Sequence, residues 1–296
     1  MIKGINYWAF PVSQDGKLID PRVAMRRAKD LGYDSFELTV DLNGSFSLNS
    51  TKQDAEALRK EAEHIGIRLS TVCSGLSWKE SPTSPDPDIR HKAVMNTGKM
   101  IELAAILGAE TVLYVPGMVS AGFAPEFISQ RYDQVENWAK ESIMKLLPIA
   151  ERYQVKIGIE NVWNRFLLTP MEMRDFIDSF HSPWVGSYFD VGNIMLYGHP
   201  EHWIEILGAR ILAVHMKDFR VNVGNLDGFV DLLSGDVDFA QVMLAFKNIG
   251  YTGPFTVEIL PGITGSVEKA IVALRIIESA EFQGSYINRN NAAVFP

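Results

Sequence analysis

Cysteine is nearly missing from this sequence of 296 residues: Cys73 is the single example, which excludes an intramolecular disulfide. Basic clusters are missing too. Lys and Arg number 28 against 36 Asp and Glu, giving a net charge of −8, and no stretch resembles the basic stripe that neutralises nucleic acid. No apolar run approaches the ~20 residues that cross a bilayer. We therefore expect a soluble protein with no nucleic-acid or membrane partner.

The first twenty residues lack the charged start and long apolar stretch of a secretory signal, so the cytoplasm is the expected location. Glycine occurs 23 times, but never in a G-x-G-x-x-G or P-loop pattern, so no nucleotide cofactor is expected. Five glycines instead stand between a helical stretch and a strand-like run, where a left-handed residue closes a helix. They are Gly32, Gly66, Gly108, Gly208 and Gly250.

Eight short runs rich in β-branched and aromatic residues alternate with amphipathic helical stretches. They span residues 5–10, 35–40, 68–73, 111–115, 156–160, 185–190, 211–215 and 255–259. Most are apolar throughout, which is typical of parallel strands covered on both faces. Eight βα units without a linker predict an α/β fold, a single (β/α)8 TIM barrel over residues 1–282, followed by a polar C-terminal tail over 283–296. Two long segments, 74–87 and 219–237, follow strands on the side where such barrels build active sites.

Four side chains with metal-binding groups stand at the ends of the last four predicted strands: Glu160, Asp190, His215 and Glu258. A barrel brings strand ends to one mouth, and ionised groups are costly to bury there unless they pair or bind a metal. Three carboxylates and one imidazole suit Mn²⁺, Mg²⁺ or Co²⁺, and Zn²⁺ remains an alternative. The pattern predicts a site for one divalent metal ion.

The motifs around these residues resemble those of the xylose isomerase-like sugar isomerase and epimerase family. They are ENxxNRF, FDVGN, AVHMKD and GYTGPFTVEI, and the likeness is to its ketose 3-epimerases, which act on L-ribulose 5-phosphate, L-xylulose 5-phosphate, D-tagatose or D-psicose. The resemblance implies that the four side chains hold the metal, with Mn²⁺ favoured, and that Glu160 and Glu258 are also the catalytic acid and base.

The resemblance further implies C3 epimerisation of a ketose or ketose phosphate through a metal-bound cis-enediolate, with one glutamate on each face. Two alternatives use the same ligand set and stay open: an aldose–ketose or hydroxypyruvate-type isomerase, and an inosose dehydratase-like lyase. The partner is then a small-molecule sugar or sugar phosphate. Relatives of this kind form dimers or tetramers, so a homo-oligomer is expected.

Seven further residues are expected to contact the substrate, through aromatic faces, hydrogen bonds or positive charge. They are Tyr7, Trp8, Trp78, Arg165, Asn193, Lys217 and Arg220. Leu167 and Asn193 stand where the D-tagatose and D-psicose enzymes carry Glu and His, which argues against those two sugars. Lys79 is the single cation of the segment SGLSWKES, so a phosphate on the substrate stays undecided. Glu37, inside the second strand, is interpreted as a hydrogen-bond partner at the barrel mouth.

Overall fold

The structure is a computed structural model that describes residues 1–11, 18–121, 129–259 and 266–283. Its strands are β1 Ile2–Asn6, β2 Ser35–Thr39, β3 Thr71–Cys73, β4 Thr111–Tyr114, β5 Lys156–Glu160, β6 Val185–Asp190, β7 Ile211–Met216, β8 Asp218–Phe219, β9 Phe229–Val230 and β10 Pro254–Val257. Eight of these described strands close into a parallel barrel in the order β1-β10-β7-β6-β5-β4-β3-β2, while β8 and β9 form a short antiparallel pair. The predicted TIM barrel is confirmed.

The helices alternate with the strands and cover the outside of the barrel. They are α1 Pro21–Leu31, α2 Lys52–Ile65, α3 Leu76–Lys79, α4 Pro87–Leu107, α5 Tyr132–Tyr153, α6 Pro170–Asp178, α7 Pro200–Leu207, α8 Phe239–Asn248 and α9 Val267–Gln283. Local chemistry sets where they begin: Thr51 and Thr169 each form a capping box, with Asp54 and Glu172 respectively, three residues into the helix. None of the described helices is long and apolar enough to cross a membrane.

Glycine closes several helices as the sequence predicts. Gly32, Gly66 and Gly108 follow α1, α2 and α4 in the left-handed conformation, and each donates its backbone N–H back to the last turn. Gly250 also has a positive φ, of 71°. Gly208 also closes its helix, α7, by donating its backbone N–H to the Ile204 carbonyl, but its φ of 53° and ψ of −128° lie outside the predicted left-handed helical region. There the chain enters a short 3-10 turn, Gly208–Arg210, before β7.

The first predicted strand is displaced. Residues 5–10 were expected to be extended, but β1 ends at Asn6 and a 3-10 turn follows over Tyr7–Ala9. The side chain of Asn6 causes this turn, because its Oδ1 accepts a hydrogen bond from the backbone N–H of Ala9 at 3.1 Å. The residues after β1 therefore leave the barrel wall earlier than their apolar character suggests.

The long loop segments after β3 and β7 contain short elements of their own. The segment 74–87 holds the one-turn helix α3, and 219–237 holds β9 and a 3-10 turn over Leu226–Gly228. Helix α9 runs to Gln283. The rest of the predicted C-terminal tail lies outside the described residues, so the division at residue 282 stays a prediction.

Candidate metal centre

The four predicted ligands meet at the carboxyl-terminal mouth of the barrel. Glu160 and Asp190 are the last residues of β5 and β6, His215 lies one residue before the end of β7, and Glu258 directly follows β10. All four are buried, and one ligand atom from each lies within 4.8 Å of the others. The register of the parallel strands produces this convergence, since Asp190 pairs directly with His215 across β6 and β7.

Two asparagines hold the ends of β5 and β6 together. Asn161 accepts from the backbone N–H of Asp190 at 2.9 Å and donates through Nδ2 to its carbonyl at 2.7 Å. The backbone N–H of Asn193 donates to Asp190 Oδ1 at 2.8 Å, and Asn193 Nδ2 lies 3.4 Å from Glu160 Oε1. These contacts leave Asp190 Oδ2 turned toward the centre of the cluster.

His215 is oriented by a buried carboxylate on the opposite side of its ring. Glu37 Oε1 lies 2.7 Å from His215 Nε2, which leaves Nδ1 facing the other cluster residues. Glu37 Oε2 accepts from the hydroxyls of Thr71, at 2.7 Å, and Tyr188. Burial acts to raise the pKa of Glu37, but His215 and these hydrogen bonds hold it below its usual value. Glu37 therefore stays ionised and accepts a hydrogen bond from the Nε2–H of His215, as carboxylates behind metal-binding histidines do.

Lys217 forms ion pairs with two of the three carboxylates at the centre of the cluster. Lys217 Nζ lies 3.0 Å from Asp190 Oδ2 and also contacts Glu258 Oε2. Burial raises the pKa of Glu160 to about 8, reinforced by the charge of Glu258. Burial also acts to raise the pKa of Glu258, but Lys217 and His215 hold it well below its usual value. The site thus brings three carboxyl groups together around the side chains of Lys217 and His215.

The cluster fits a divalent cation. Among the described residues, three of its buried atoms make no hydrogen bond: Asp190 Oδ2, His215 Nδ1 and Glu258 Oε2. His215 Nδ1 lies 3.2 Å from Glu258 Oε2 and 3.9 Å from Asp190 Oδ2, so the three atoms face one another, and the two oxygens also form ion pairs with Lys217. Buried atoms with so few partners are costly, and carboxylate oxygens with an imidazole nitrogen are the ligand atoms that hard or borderline divalent ions take.

A cavity of about 470 Å³ opens above the cluster, within the size range of small-molecule sites. Glu160, Asn193, Lys217 and Glu258 form its polar floor. Its walls are mainly apolar and come from several loops. The wall residues are Trp8, Ser74, Gly75, Trp78, Leu113, Val162, Trp163, Leu226 and Phe229. Four of the seven expected substrate contacts, Trp8, Trp78, Asn193 and Lys217, thus lie at the cavity.

The other three expected contacts lie elsewhere. Tyr7 is buried against Phe36, and its hydroxyl donates to the carbonyl of Ile19, because the 3-10 turn after Asn6 directs it into the core. Arg165 is exposed on the loop after β5. Arg220 is exposed, and its Nε donates to the Ser234 carbonyl at 3.1 Å. None of the three lines this cavity, and their contact with a substrate stays a prediction.

Phe229 and Leu226 line the cavity wall but are not among the residues predicted from the sequence. Phe229 lies in β9, where its ring centroid is 5.3 Å from Lys217 Nζ and 5.0 Å from the ring of Trp163. The length of the segment 219–237 is the only sequence feature that points to Phe229 or Leu226, because neither residue stands at the end of a barrel strand. The cavity wall therefore depends on how this segment folds back over the barrel mouth.

Asp218 fixes that segment. Its carboxylate accepts backbone N–H groups from Phe219, Gly235 and Val237 at 2.8, 2.8 and 3.2 Å. Its neighbour Gly235 packs so closely that an added Cβ would lie 2.2 Å from Asp218 Oδ1. Asp218 thus ties both ends of the loop together beneath the residues that line the cavity.

We expect Gly235→Ala to break this anchor. Overpacking should lower the free energy of unfolding by about 1–3 kcal/mol and raise KM several-fold, since Leu226 and Phe229 would shift with the loop. Denaturant unfolding and steady-state kinetics measure the two effects. Gly198→Ala is the matched control, because its added Cβ meets only an ordinary contact 3.6 Å from Trp203 Nε1. Wild-type stability and KM in Gly235→Ala would contradict the anchor.

The fold and the cluster define a class: (β/α)8 barrels that carry a Glu–Asp–His–Glu site for a divalent ion at the carboxyl-terminal mouth. A family model described as Xylose isomerase-like TIM barrel matches residues 25–276, which is most of the chain. The chain belongs to this family.

Curated relatives agree with this assignment. The chain is 30% identical over 241 residues to the uncharacterized protein MJ1311 of Methanocaldococcus jannaschii, covering 79% of this chain and 78% of that protein. It is 23% identical over 237 residues to the L-ribulose-5-phosphate 3-epimerase UlaE of Salmonella paratyphi A, covering 79% and 80%. Relatives named as sugar epimerases confirm the predicted resemblance and the isomerase class.

Solved structures share the fold across nearly the whole chain. A D-tagatose 3-epimerase-like protein superposes with a TM-score of 0.76 at 21% identity, covering 95% of this chain and 97% of that one. D-psicose 3-epimerase from Clostridium cellulolyticum H10, solved with D-tagatose, gives 0.77 at 18% identity, covering 95% and 99%. The IOLI protein, solved with a zinc atom, gives 0.72 at 17% identity, covering 95% and 98%.

Proposed function

We propose that this protein is a divalent-metal-dependent epimerase that inverts C3 of a ketose or ketose phosphate. The observation that carries the proposal is the convergence of Glu160, Asp190, His215 and Glu258, with ligand atoms within 4.8 Å of one another, beneath an apolar cavity whose floor includes Glu160 and Glu258. The family also supports the proposal, because relatives of this chain are named as sugar epimerases. Mn²⁺ is the favoured ion, and the homo-oligomeric state and cytoplasmic location stay predictions.

Two glutamates on different strands provide an acid and a base. In the barrel order, β6 and β7 separate β5 from β10, so Glu160 and Glu258 reach the cluster from its two sides. A sugar placed between them would present opposite faces of C3 to the two carboxylates. One carboxylate removes the C3 proton, the other returns a proton to the opposite face, and the configuration at C3 inverts.

The remaining residues position the reacting groups. Asp190 and His215 complete the set of groups that would hold the ion, and Glu37 keeps His215 Nδ1 turned toward it. The ion, when bound, supplies Lewis-acid stabilisation of negative charge on the substrate oxygens. Lys217, on the same floor, places an ammonium group beside the carboxylates. The apolar wall excludes water, which strengthens each of these electrostatic contacts.

Proton NMR in D₂O tests the reaction. The Mn²⁺-loaded protein is incubated with ketopentoses and ketohexoses, free and 5- or 6-phosphorylated, and the ion is removed before acquisition. Deuterium at C3 together with the C3 epimer is the expected result. Deuterium at C1 or C2 with an aldose product would replace the epimerase by an aldose–ketose isomerase. Loss of water from an inosose incubated in parallel, without exchange into any ketose of the panel, would replace it by a dehydratase.

A further inference from the structure

We infer that the sugar taken by this site is uncharged, and that its end remote from the carboxylate cluster lies against tryptophan rings rather than against a phosphate-binding group. This inference rests on the proposed function and restricts its substrate to sugars that carry no phosphate. A neutral sugar would differ from the substrate of the related L-ribulose-5-phosphate 3-epimerase, whose name specifies a phosphorylated sugar.

The described cavity lining contains a single cationic side chain, Lys217. Its Nζ forms an ion pair with Asp190 at 3.0 Å and a second with Glu258, and the ring of Phe229 lies 5.3 Å away. The ammonium group is therefore already engaged by two carboxylates at the cavity floor. It lies at the cluster, beside the reacting end of a substrate, and not at the far end where a phosphate would lie.

Other cations near the mouth are directed elsewhere. Lys79 forms an ion pair with Asp41 at 2.8 Å, Arg220 donates to the Ser234 carbonyl, and Arg165 is exposed; none of them lines the cavity. The internal segments outside the described residues, 12–17, 122–128 and 260–265, contain one Lys or Arg in their sequences, Lys17. The described part of the barrel mouth thus presents little positive charge to an anion.

Ser266 and Lys269, at the start of α9, line a second cavity that shares Lys217, Phe229 and Glu258 with the main one. Its volume of about 30 Å³ has room for about two water molecules, and Lys269 forms an ion pair with Asp231 at 3.2 Å. A phosphate dianion buried without charge-assisted donors would lose its hydration, and Lys217 together with a divalent ion would only balance the three carboxylates of the cluster, leaving no surplus positive charge for it. The charge distribution therefore disfavours a sugar phosphate.

Three indole rings form the wall instead. Trp8 lies in the turn after β1, Trp78 in α3, and Trp163 in the loop after β5. Trp163 is held rigidly: its Nε1 donates to the Asn193 carbonyl at 2.9 Å, and its ring packs on Phe219 and Phe229. Flat apolar rings cover the C–H faces of a neutral sugar while the hydroxyls stay free for polar groups.

Matched pairs of ligands test the inference by binding. Isothermal titration of the Mn²⁺-loaded protein compares L-ribulose with L-ribulose 5-phosphate, and D-fructose with D-fructose 6-phosphate. We expect the neutral sugar to bind at least about tenfold more tightly than its phosphate in at least one pair. Tighter binding of the phosphate in both pairs, or binding of no ligand, would overturn the inference.

Tryptophan variants test the wall. Trp78→Ala should weaken binding of the neutral sugar by up to about tenfold without changing Mn²⁺ affinity, whereas Trp78→Phe, which keeps an aromatic face, should retain most of it. Trp138→Ala is the control, because Trp138 lies in α5 outside the barrel and stacks under Arg90. Unchanged affinity in Trp78→Ala would count against an indole wall.

The proposed C3 epimerase activity and the uncharged substrate can be tested separately. Deuterium exchange at C3, measured on the same samples, reports on the proposed epimerase and not on the charge of the ligand. Exchange into the phosphate alone would overturn the uncharged substrate and leave the epimerase standing. Binding of the neutral sugar without exchange would leave the inference standing and overturn the epimerase.

Discussion

Replacing Glu160 or Glu258 by Gln is expected to lower kcat by about 10²–10⁴-fold, because each substitution removes one partner of the acid–base pair while keeping the shape of the side chain. Both glutamates line the cavity floor and belong to the cluster. Deuterium incorporation at C3 of the accepted sugar measures the loss. Titration of the same sugar onto each variant should show much smaller changes in affinity, because the apolar walls remain intact.

The control for these variants is Glu141→Gln, an exposed position on α5 outside the barrel mouth. Its kcat should equal that of the wild type. Both site variants are also candidate ligands, so Mn²⁺ content must be measured and each rate compared at saturating ion. Undiminished exchange in either Glu160→Gln or Glu258→Gln, with the ion bound, would remove that glutamate from the mechanism.

The four cluster residues were predictable because two simple regularities determine them. Parallel strands of a barrel end at one mouth, and Glu160, Asp190, His215 and Glu258 each stand at or next to a strand end. Side chains in a strand alternate, so a residue two positions beyond His215 points the same way, and Lys217 does reach the cluster. Sequence position alone is sufficient where regular structure carries the side chain.

The cavity wall was harder to predict because it comes from irregular segments. The direction of Tyr7 depends on one hydrogen bond, from Ala9 to the Asn6 side chain, which turns the chain inward. The position of Phe229 depends on backbone hydrogen bonds to Asp218 from residues as many as nineteen positions away. Such contacts follow from tertiary packing, so no local spacing in the sequence indicates them.

Glu37 shows the same limit inside a regular strand. Its place in β2 predicts a side chain at the barrel mouth, and the sequence interpretation of a hydrogen-bond partner there is correct as far as it goes. The sequence does not reveal that its partner is His215, 178 positions away, on a strand that is not its neighbour. The contact crosses the barrel interior, and it makes Glu37 a positioning residue for the candidate metal centre.

Glu37→Ala is expected to damage both stability and ion binding. The substitution leaves three buried donors without their acceptor, His215 Nε2, Thr71 Oγ1 and the Tyr188 hydroxyl. Breaking a buried charged network of this kind costs about 3–5 kcal/mol of unfolding free energy. Loss of the carboxylate behind a metal-binding histidine lowers metal affinity about 10–100-fold. Denaturant unfolding and Mn²⁺ titration measure the two effects independently.

Conservative and surface variants separate positioning from general damage. Glu37→Gln keeps the side-chain volume and one acceptor oxygen, so it should recover most of the stability of Glu37→Ala but not the full Mn²⁺ affinity, since a neutral amide polarises His215 less. Glu56→Ala, which breaks an exposed i,i+4 ion pair with Lys52, should change stability by less than about 0.5 kcal/mol and leave Mn²⁺ binding unaltered. A Glu37→Gln protein with wild-type Mn²⁺ affinity would show that Glu37 supports the fold without tuning the histidine, because volume and hydrogen bonding alone would then account for its effect.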